Sequence, residues 1–257
     1  MVICDVMPTS KEMLQIASDV GYSETAFLHK YRKGWRIRYF SPEMEIPFCG
    51  HATIATGYVL GEQFEQGDHK LYLNTGSIDI SIEESNHKIT VSLNSPPTYS
   101  EQAPQDFIEK TVEAFNFSLS DINPNFPVKI ALAGAKHLII VLSEHEKLSS
   151  MDYDFERVKT LMKQHDLITI NLLWQKSSNQ FHSRNPFPPG GVYEDPATGA
   201  AAAAFAGYLR DVAWSGSNAL EIFQGEDMGS PSKLFVEFQN EVGSSVKVSG
   251  EARYLNE

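Results

Sequence analysis

Glu24 is the residue of this sequence whose neighbours best suit proton transfer. It lies in the segment YSETAFL, with the large apolar side chains of Phe27 and Leu28 following it. A carboxylate beside apolar side chains is partly desolvated, which raises its pKa toward neutral pH and suits it to act as a general acid or base. A solvent-exposed glutamate in a turn is the commoner explanation for any single glutamate, and composition does not exclude it.

Two segments of small residues are predicted to form helices that begin at a ligand. They are CGHATIATGYVLG, from residue 49, and DPATGAAAAAFAGYLR, from residue 195. Each begins in a loop of Gly, Pro or Thr, which leaves unpaired backbone N–H groups and the positive end of the helix dipole exposed. Two such helix starts that face each other would bind a carboxylate. Either helix by itself is better explained as an element that fits a tight core.

Composition argues against several classes of function. The chain has 33 Asp and Glu against 21 Lys and Arg, a formal net charge of -12 that repels nucleic acid, and it has no basic patch. Its two cysteines form no CxxC, and no Cys/His cluster has the spacing of zinc ligands, so we expect a reduced cytoplasmic protein without a metal site. No segment is long and apolar enough to span a membrane, and no glycine-rich nucleotide-binding segment is present.

The elements that position these residues are predicted as follows. A capping box at Thr9 and Glu12 begins a helix over about residues 10–20, and a second helix is predicted near residues 107–115. Strands are predicted on both sides of each small-residue helix, at 35–40, 70–73, 77–82, 88–93, 128–132, 137–142, 168–174, 179–183, 219–223 and 232–238.

Both halves therefore show the same order of elements. The dipeptide Gly57-Tyr58 recurs as Gly207-Tyr208 in the second small-residue helix. Runs of strands around one helix per half predict an α+β fold of two similar lobes, each a curved mixed sheet or barrel wrapped around a central helix. We place the lobes at residues 1–98 and 107–257, with the polar, proline-rich residues 95–106 as a linker and the C-terminal end expected to pack back on the first lobe.

Four segments in order resemble the PhzF-like family of phenazine-biosynthesis isomerase homologues. They are SETAFL (23–28), IRYFSPEMEIPFCGHATIA (37–55), GGVYEDPATGAA (190–201) and QGEDMGSPS (224–232). The resemblance runs through nearly the whole chain. It implies the two-lobed fold of diaminopimelate epimerase, with an active site in the cleft between the lobes, and it implies a homodimer.

The resemblance also implies the chemistry. The glutamate of the SET motif, here Glu24, is the acid/base that moves a proton between two carbons of a small carboxylate substrate, without a cofactor. By position, His51 and Asp195 are implied to orient the substrate and assist the transfer, although Asp195 before Pro196 also suits a helix N-cap. The substrate-binding residues implied at the helix starts are Gly50, Ala52, Thr198, Gly199 and Ala200.

Three departures from the family pattern bear on substrate and fold. Ala200 stands where the family usually has a serine, and Ser230 stands where it usually has an arginine, so that a hydrogen bond and a cation are lost and a different substrate or weaker binding is expected. The strand that usually precedes the VICDV segment is absent from this sequence, so we expect an exposed sheet edge there.

Two alternatives remain from the same residues. A racemase with two facing thiols is disfavoured, because the only cysteine besides Cys49 is Cys4 and none lies near Asp195 in the sequence. A catalytically idle member that binds a small molecule or a partner is favoured by Ala200 and Ser230 but disfavoured by the retained acid/base residues.

Overall fold

The computed structural model describes residues 1–254, which contain six α-helices and three single-turn 3-10 helices. The α-helices are Ser10–Val20 (α1), Gly50–Gln63 (α2), Gln105–Ala114 (α3), His145–Ser149 (α4), Phe155–Gln164 (α5) and Gly199–Asp211 (α6). The 3-10 helices are Leu119–Asp121, Pro188–Gly190 and Glu226–Met228.

Sixteen strands are described in the same residues. They are Val2–Ile3 (β1), Thr25–Tyr31 (β2), Gly34–Phe40 (β3), Glu45–Ile46 (β4), Gly67–Tyr72 (β5), Ser77–Ser85 (β6), Lys88–Asn94 (β7), Thr98–Gln102 (β8), Lys129–Ala133 (β9), Lys136–Leu142 (β10), Leu167–Gln175 (β11), Gln180–Pro186 (β12), Glu194–Asp195 (β13), Ala219–Gln224 (β14), Ser232–Glu237 (β15) and Lys247–Glu251 (β16).

The strands form one continuous mixed sheet. Its order is β1-β2-β3-β5-β6-β7-β16-β15-β14-β12-β11-β10-β9-β8, with β4 paired to β3 and β13 paired to β12. Strand β16 pairs with β15 on one side and with β7 on the other, so the C-terminal strand joins the two halves of the sheet. The α+β prediction, with helices set in a curved mixed sheet, is confirmed.

Local sequence explains why several elements begin where they do. Helix α1 has the predicted capping box, in which the Thr9 hydroxyl accepts from the Glu12 N–H and the Glu12 carboxylate accepts from the Thr9 N–H. It ends at Gly21, which has a left-handed φ of 73°. Strand β10 alternates strictly, with Ile139 and Val141 on the inner face of the sheet and Leu138 and Ile140 beneath the outer helices.

Two segments differ from the sequence-based expectation. The segment after Glu24, for which no strand was predicted, is strand β2, whose first four residues are buried because they pack beneath α1 and beside β3. The expected linker at residues 95–106 contains strand β8, which pairs with β9, and the start of α3. Proline and polar residues are tolerated there because β8 is an edge strand whose outer backbone groups face solvent.

The two small-residue helices lie on the inner side of the sheet, where space is short. A Cβ atom on Gly57 of α2 would lie 2.5 Å from Val91 Cγ1 of β7, and one on Gly207 of α6 would lie 2.6 Å from Thr98 Cβ of β8. The internal repeat thus has a physical reason, since each helix needs glycine to approach its strand. The other helices cover outer faces, α1 over β2 and β3, and α3 and α5 over the strands of the second half.

The first turns of α2 and α6 touch each other. A Cβ atom on Gly50 would lie 2.6 Å from Gly199 Cα and 2.8 Å from its carbonyl carbon. Only glycine at both positions allows this approach of backbone to backbone. The sheet therefore surrounds two helices whose N-terminal ends meet. None of the helices described in residues 1–254 is long and apolar enough to cross a membrane.

We predict that Gly50→Ala destabilises the protein by about 1–3 kcal/mol, because the added methyl group meets backbone that cannot rotate away. Urea unfolding measures the change in the free energy of unfolding. The matched control is Gly250→Ala in β16, whose Cβ atom would meet nothing nearer than Ile54 Cδ1 at 3.4 Å. Equal stability of Gly50→Ala and the unmodified protein would contradict the proposed contact.

Candidate active site

Glu24 lies at the start of β2 with its carboxylate turned toward the helix starts. The left-handed turn at Gly21 ends α1, and the chain enters the sheet three residues later. The side chain of Glu24 is only 5% exposed, and its Oε2 atom has no hydrogen-bond partner. A buried, unpaired carboxylate oxygen is costly, so a group of this kind in a cleft indicates a function.

His51 lies between two carboxylates. It is in the first turn of α2, and its Nε2 atom is 3.3 Å from Glu24 Oε2 while its Nδ1 atom is 3.6 Å from Asp195 Oδ2. Its side chain is 21% exposed and reaches the cavity wall. One imidazole therefore links an acid from the first half of the chain with an acid from the second.

Asp195 is held from behind by a fixed loop. It belongs to β13, which pairs with β12, and its carboxylate accepts a hydrogen bond from the Thr198 hydroxyl at 2.5 Å. Gln224 donates its side-chain amide to the Asp195 carbonyl oxygen at 2.7 Å and accepts from the Thr198 N–H at 3.0 Å. The helix N-cap is Thr198 and not Asp195, so the carboxylate of Asp195 is free to face His51.

The helix starts supply unpaired N–H groups beneath these side chains. Neither N-cap residue, Cys49 in α2 or Thr198 in α6, makes a side-chain capping bond. The first-turn amides of both helices therefore lack intrahelical acceptors at the point where the helices meet. The five residues predicted to bind substrate lie here, all buried: Gly50, Ala52, Thr198, Gly199 and Ala200. They lie at the meeting point of the two helices, here called the floor of the site, and none of the five is among the described residues that line the cavity.

A cavity of about 1310 Å³ opens above this floor. Glu24 and His51 line it, together with Ser23, Pro196 and Ser230. Its remaining wall is largely aromatic and aliphatic, with Tyr22, Tyr58, Val59, Val192, Tyr193 and Met228. An apolar wall that converges on a few polar groups is typical of a small-molecule site.

Burial sets the pKa of Glu24. Desolvation, with the nearby charge of Asp195, raises the pKa of Glu24 to about 7, although His51 opposes the shift. A carboxylate with this pKa exchanges a proton readily near neutral pH.

The two neighbours of Glu24, His51 and Asp195, both have pKa shifts that favour their charged forms. Burial disfavours an imidazolium, but Cys49, Asp195 and Glu24 together raise the pKa of His51 well above its usual value. Burial would raise the pKa of Asp195, yet His51 and the Thr198 hydroxyl hold it below its usual value. These shifts favour an Asp195–His51 ion pair beside a carboxyl group whose pKa is near neutral.

Cys49 contacts the same group. Its Sγ atom is 3.5 Å from His51 Nδ1 and 3.9 Å from His51 Nε2. Burial and the neighbouring Glu24 raise the pKa of Cys49 to about 12, so the thiol is neutral. The other cysteine, Cys4, contacts the Val2 carbonyl oxygen beside β1 and is not part of the described cavity wall.

Five residues of this site are not among the site residues predicted from the sequence: Ser23, Cys49, Arg184, Glu194 and Gln224. Ser23 directly precedes Glu24, and Cys49 directly precedes Gly50, so both lie inside segments that the motifs identify. Glu194, next to Asp195, makes a buried ion pair with Arg184, with Oε2 and Nη2 2.6 Å apart. Gln224 begins the segment QGEDMGSPS that the family resemblance identifies, but its contacts with Asp195 and Thr198 depend on the fold.

Known proteins resemble this chain over nearly its whole length. The family model described as phenazine biosynthesis-like protein, PhzC-PhzF, matches residues 2–257. A trans-2,3-dihydro-3-hydroxyanthranilate isomerase from Pseudomonas fluorescens is 32% identical over 248 residues, covering 93% of this chain and 84% of that protein. The chain belongs to the PhzC-PhzF family. The family resemblance expected from the four sequence segments is thereby confirmed.

Two further members of this PhzC-PhzF group agree in sequence and fold. The uncharacterized isomerase YfhB of Bacillus subtilis is 28% identical over 255 residues, covering 94% of this chain and 84% of that protein. A PhzF-family crystal structure from Bacillus anthracis superposes with a TM-score of 0.81 at 21% identity, covering 97% of this chain and 88% of that one. The prediction of an isomerase is confirmed.

We predict that Gln224→Met lowers the free energy of unfolding by about 1–3 kcal/mol, because it leaves the buried Thr198 N–H without an acceptor. Chemical denaturation measures the loss. The matched control is Gln175→Met, since Gln175 donates to the Ser177 carbonyl at 3.0 Å in an exposed position where water can replace the bond. Similar losses in the two variants would show that the Gln224 contacts do not hold the Asp195 loop.

Proposed function

We propose that this protein is a cofactor-independent isomerase that moves a proton between two carbons of a small carboxylate substrate, with Glu24 as the acid/base. The observation that carries the proposal is the Glu24 carboxylate, buried, without a hydrogen bond on Oε2 and facing a cavity. A general base must reach the proton that it takes, and this oxygen accepts no hydrogen bond, although His51 Nε2 lies 3.3 Å away.

The substrate carboxylate is placed over the meeting point of α2 and α6. Two sets of first-turn amides converge there, and both helix dipoles are positive at that end. In this proposal an anion on this floor accepts hydrogen bonds from first-turn N–H groups. It also holds the carbon next to the carboxylate within reach of Glu24.

Proton transfer then needs two balanced steps. Glu24 as carboxylate takes a proton from a substrate carbon, and the electron pair of that C–H bond moves into the adjacent unsaturated system. Glu24 as carboxylic acid then returns the proton to a second carbon on the same face, and the double bond moves. No electron or atom is gained overall, and Glu24 ends in its starting form.

His51 and Asp195 stabilise the charge that develops. The His51 imidazolium lies 3.3 Å from Glu24 Oε2 and faces the cavity, so it offers a positive charge to the substrate anion. Asp195, held by the Thr198 hydroxyl, keeps the imidazole oriented and charged. In this proposal His51 is an electrostatic group and Glu24 carries the proton.

For the substrate class we propose small cyclic, unsaturated carboxylates. The relative from Pseudomonas fluorescens is named for trans-2,3-dihydro-3-hydroxyanthranilate, and the tyrosines of the cavity wall provide flat surfaces for a ring. Ser230 lines the cavity and has no charge, and the arginines among the described lining residues are Arg184 and Arg253, so we expect the acidic groups of the substrate to be placed differently from those that an arginine at position 230 would favour. A homodimer in the cytoplasm remains our prediction from the family resemblance.

We predict that Glu24→Gln lowers turnover by about 10²–10⁴-fold, the usual contribution of a general acid/base. Purified protein is incubated in deuterated water with dihydro-hydroxyanthranilate-like and other small carboxylates, and NMR follows isomerisation and deuterium uptake. The matched control is Glu65→Gln at an exposed glutamate outside the cavity. Full activity of Glu24→Gln would disprove the mechanism, and ligand binding without turnover by the unmodified protein would identify an idle binding protein.

The pH dependence of kcat/KM provides a second prediction. Glu24 must start as a carboxylate, and burial raises its pKa to about 7, so activity should fall about tenfold per pH unit below that value. The ion pair of His51 with Asp195 has the opposite dependence, since a raised pKa keeps the imidazolium charged until the pH exceeds it. Activity that stays constant from pH 5 to 8 would contradict the assignment of Glu24 as the base.

A further inference from the structure

We propose that Arg253 binds a second acidic group of the substrate, so that the cavity selects flat cyclic compounds with two acidic groups over those with one. Arg253 lines the same cavity as Glu24 and His51. A guanidinium presents a planar fork of donors that matches the two oxygens of a carboxylate. This selectivity rests on the proposed function, in which the first carboxylate of the substrate lies over the starts of α2 and α6.

Two arginines are among the described residues that line the cavity, and one of them is already occupied. The side chain of Arg184 is 10% exposed, and its Nε and Nη2 atoms donate to the Glu194 carboxylate at 3.0 and 2.6 Å. Its Nη1 atom donates to the Ser149 carbonyl oxygen at 2.9 Å. Arg253 is exposed at the cavity wall, so an anion that enters the cavity can reach it. Of the two, Arg253 is the guanidinium that a ligand can use.

The cavity extends along one side of α2. Lining residues recur every four positions of this helix, a spacing that places them on one face: His51, Ala55, Val59 and Gln63. Tyr58 also lines the cavity and lies about two turns beyond His51, a distance of about 10 Å along the helix axis. The cavity therefore has a catalytic end at His51 and a far end beside Tyr58.

A short segment after β16 brings Arg253 to this far end. Residues 252–254, here called the rim segment, all line the cavity. The ring of Tyr254 packs edge-on against the ring of Tyr58, with centroids 5.8 Å apart, and its hydroxyl donates to Glu62 Oε2 at 2.7 Å. The first residue of the rim segment packs against the buried core. Arg253 thus lies between two anchored residues, so less conformational freedom is lost when it binds a ligand.

The other charges decide which ligands gain from Arg253. Glu24 and Asp195 repel a second negative group at the catalytic end, where the helix starts hold the first carboxylate. The chain carries a formal net charge of -12, so a dianion needs a local cation in order to bind. A second acidic group on the far side of the substrate ring meets Arg253, whereas a monocarboxylate leaves this guanidinium in water.

The first experiment measures binding and needs no turnover. Benzoate, isophthalate and terephthalate are flat ring carboxylates that do not isomerise, and the last two carry a second carboxylate at different positions. Isothermal titration calorimetry at low salt should show at least one of the dicarboxylates binding about tenfold more tightly than benzoate, the gain expected from charge-assisted hydrogen bonds. Arg253→Ala should remove this preference and leave the affinity for benzoate unchanged.

The matched control is Arg157→Ala, because Arg157 is an exposed arginine outside the described cavity wall that pairs with Glu113 at 2.8 Å. This variant should keep the dicarboxylate preference. Arg253→Lys should keep part of it, since an ammonium retains the charge but not the planar fork. Thermal melting confirms that each variant is folded. The proposal is overturned if neither dicarboxylate binds more tightly than benzoate, or if folded Arg253→Ala keeps the preference.

Turnover separates this proposal from the proposed function. On the carboxylate that the unmodified protein isomerises best, Arg253→Ala should raise KM about tenfold and leave kcat unchanged, because Arg253 binds the substrate away from the reacting carbons. That compound should carry two acidic groups, and best turnover of a monocarboxylate overturns the proposed selectivity. If Glu24→Gln stays active while the dicarboxylate preference depends on Arg253, the proposed mechanism fails and the second binding site stands. If Glu24→Gln is inactive and the preference is absent, the mechanism stands and the second binding site fails.

Discussion

The contact between Gly50 and Gly199 is the constraint on which the rest of the structure depends. A Cβ atom at either position would lie within 3.0 Å of the opposite backbone, so two helix starts meet with nothing between them. Each helix carries roughly half a positive charge at this end, and neither N-cap residue neutralises it with a side chain. Bringing two positive ends together is unfavourable unless negative charge lies nearby. Asp195 and Glu24 supply that charge, and a bound carboxylate would add to it.

The same constraint explains why the acidic residues have different pKa values. Asp195 has a hydroxyl donor and an imidazolium, so its pKa falls despite burial. Burial and the neighbouring negative charge of Asp195 disfavour the carboxylate form of Glu24, and its Oε2 accepts no hydrogen bond. The pKa of Glu24 therefore rises to about 7. Two carboxyl groups that share one histidine therefore take different roles, one as a fixed charge and the other as a proton carrier. The unpaired oxygen of Glu24 is a cost to stability that a purely structural site would avoid.

Particular residues show how much the sequence predicts. Gly57 and Gly207 appear as an internal repeat, and the structure explains both by the same kind of helix–strand contact. Glu24, His51 and Asp195 follow from short ordered segments, and the structure brings all three together. The contacts of Gln224, which begins a segment that the family resemblance identifies, and of Arg184 could not be predicted, because they form only after distant strands pair. Strand β8 was missed because its polar, proline-flanked residues pair at a sheet edge, where hydrophobic alternation is weak. Cys49 likewise lies near Glu24 only because of tertiary packing. The spacing of the two residues in the sequence does not predict this proximity.

The most direct test of this account is an NMR titration of the Glu24 side-chain carboxyl in metal-free protein. Protein labelled with ¹³C at glutamate carboxyl groups is titrated from pH 3 to 9, and the Glu24 signal is assigned by its absence in Glu24→Gln. Burial at the meeting point of the two helices predicts a midpoint near 7 for this carboxyl group. A midpoint near 4, as for an exposed glutamate, would show that Glu24 is solvated and would contradict its assignment as the proton carrier.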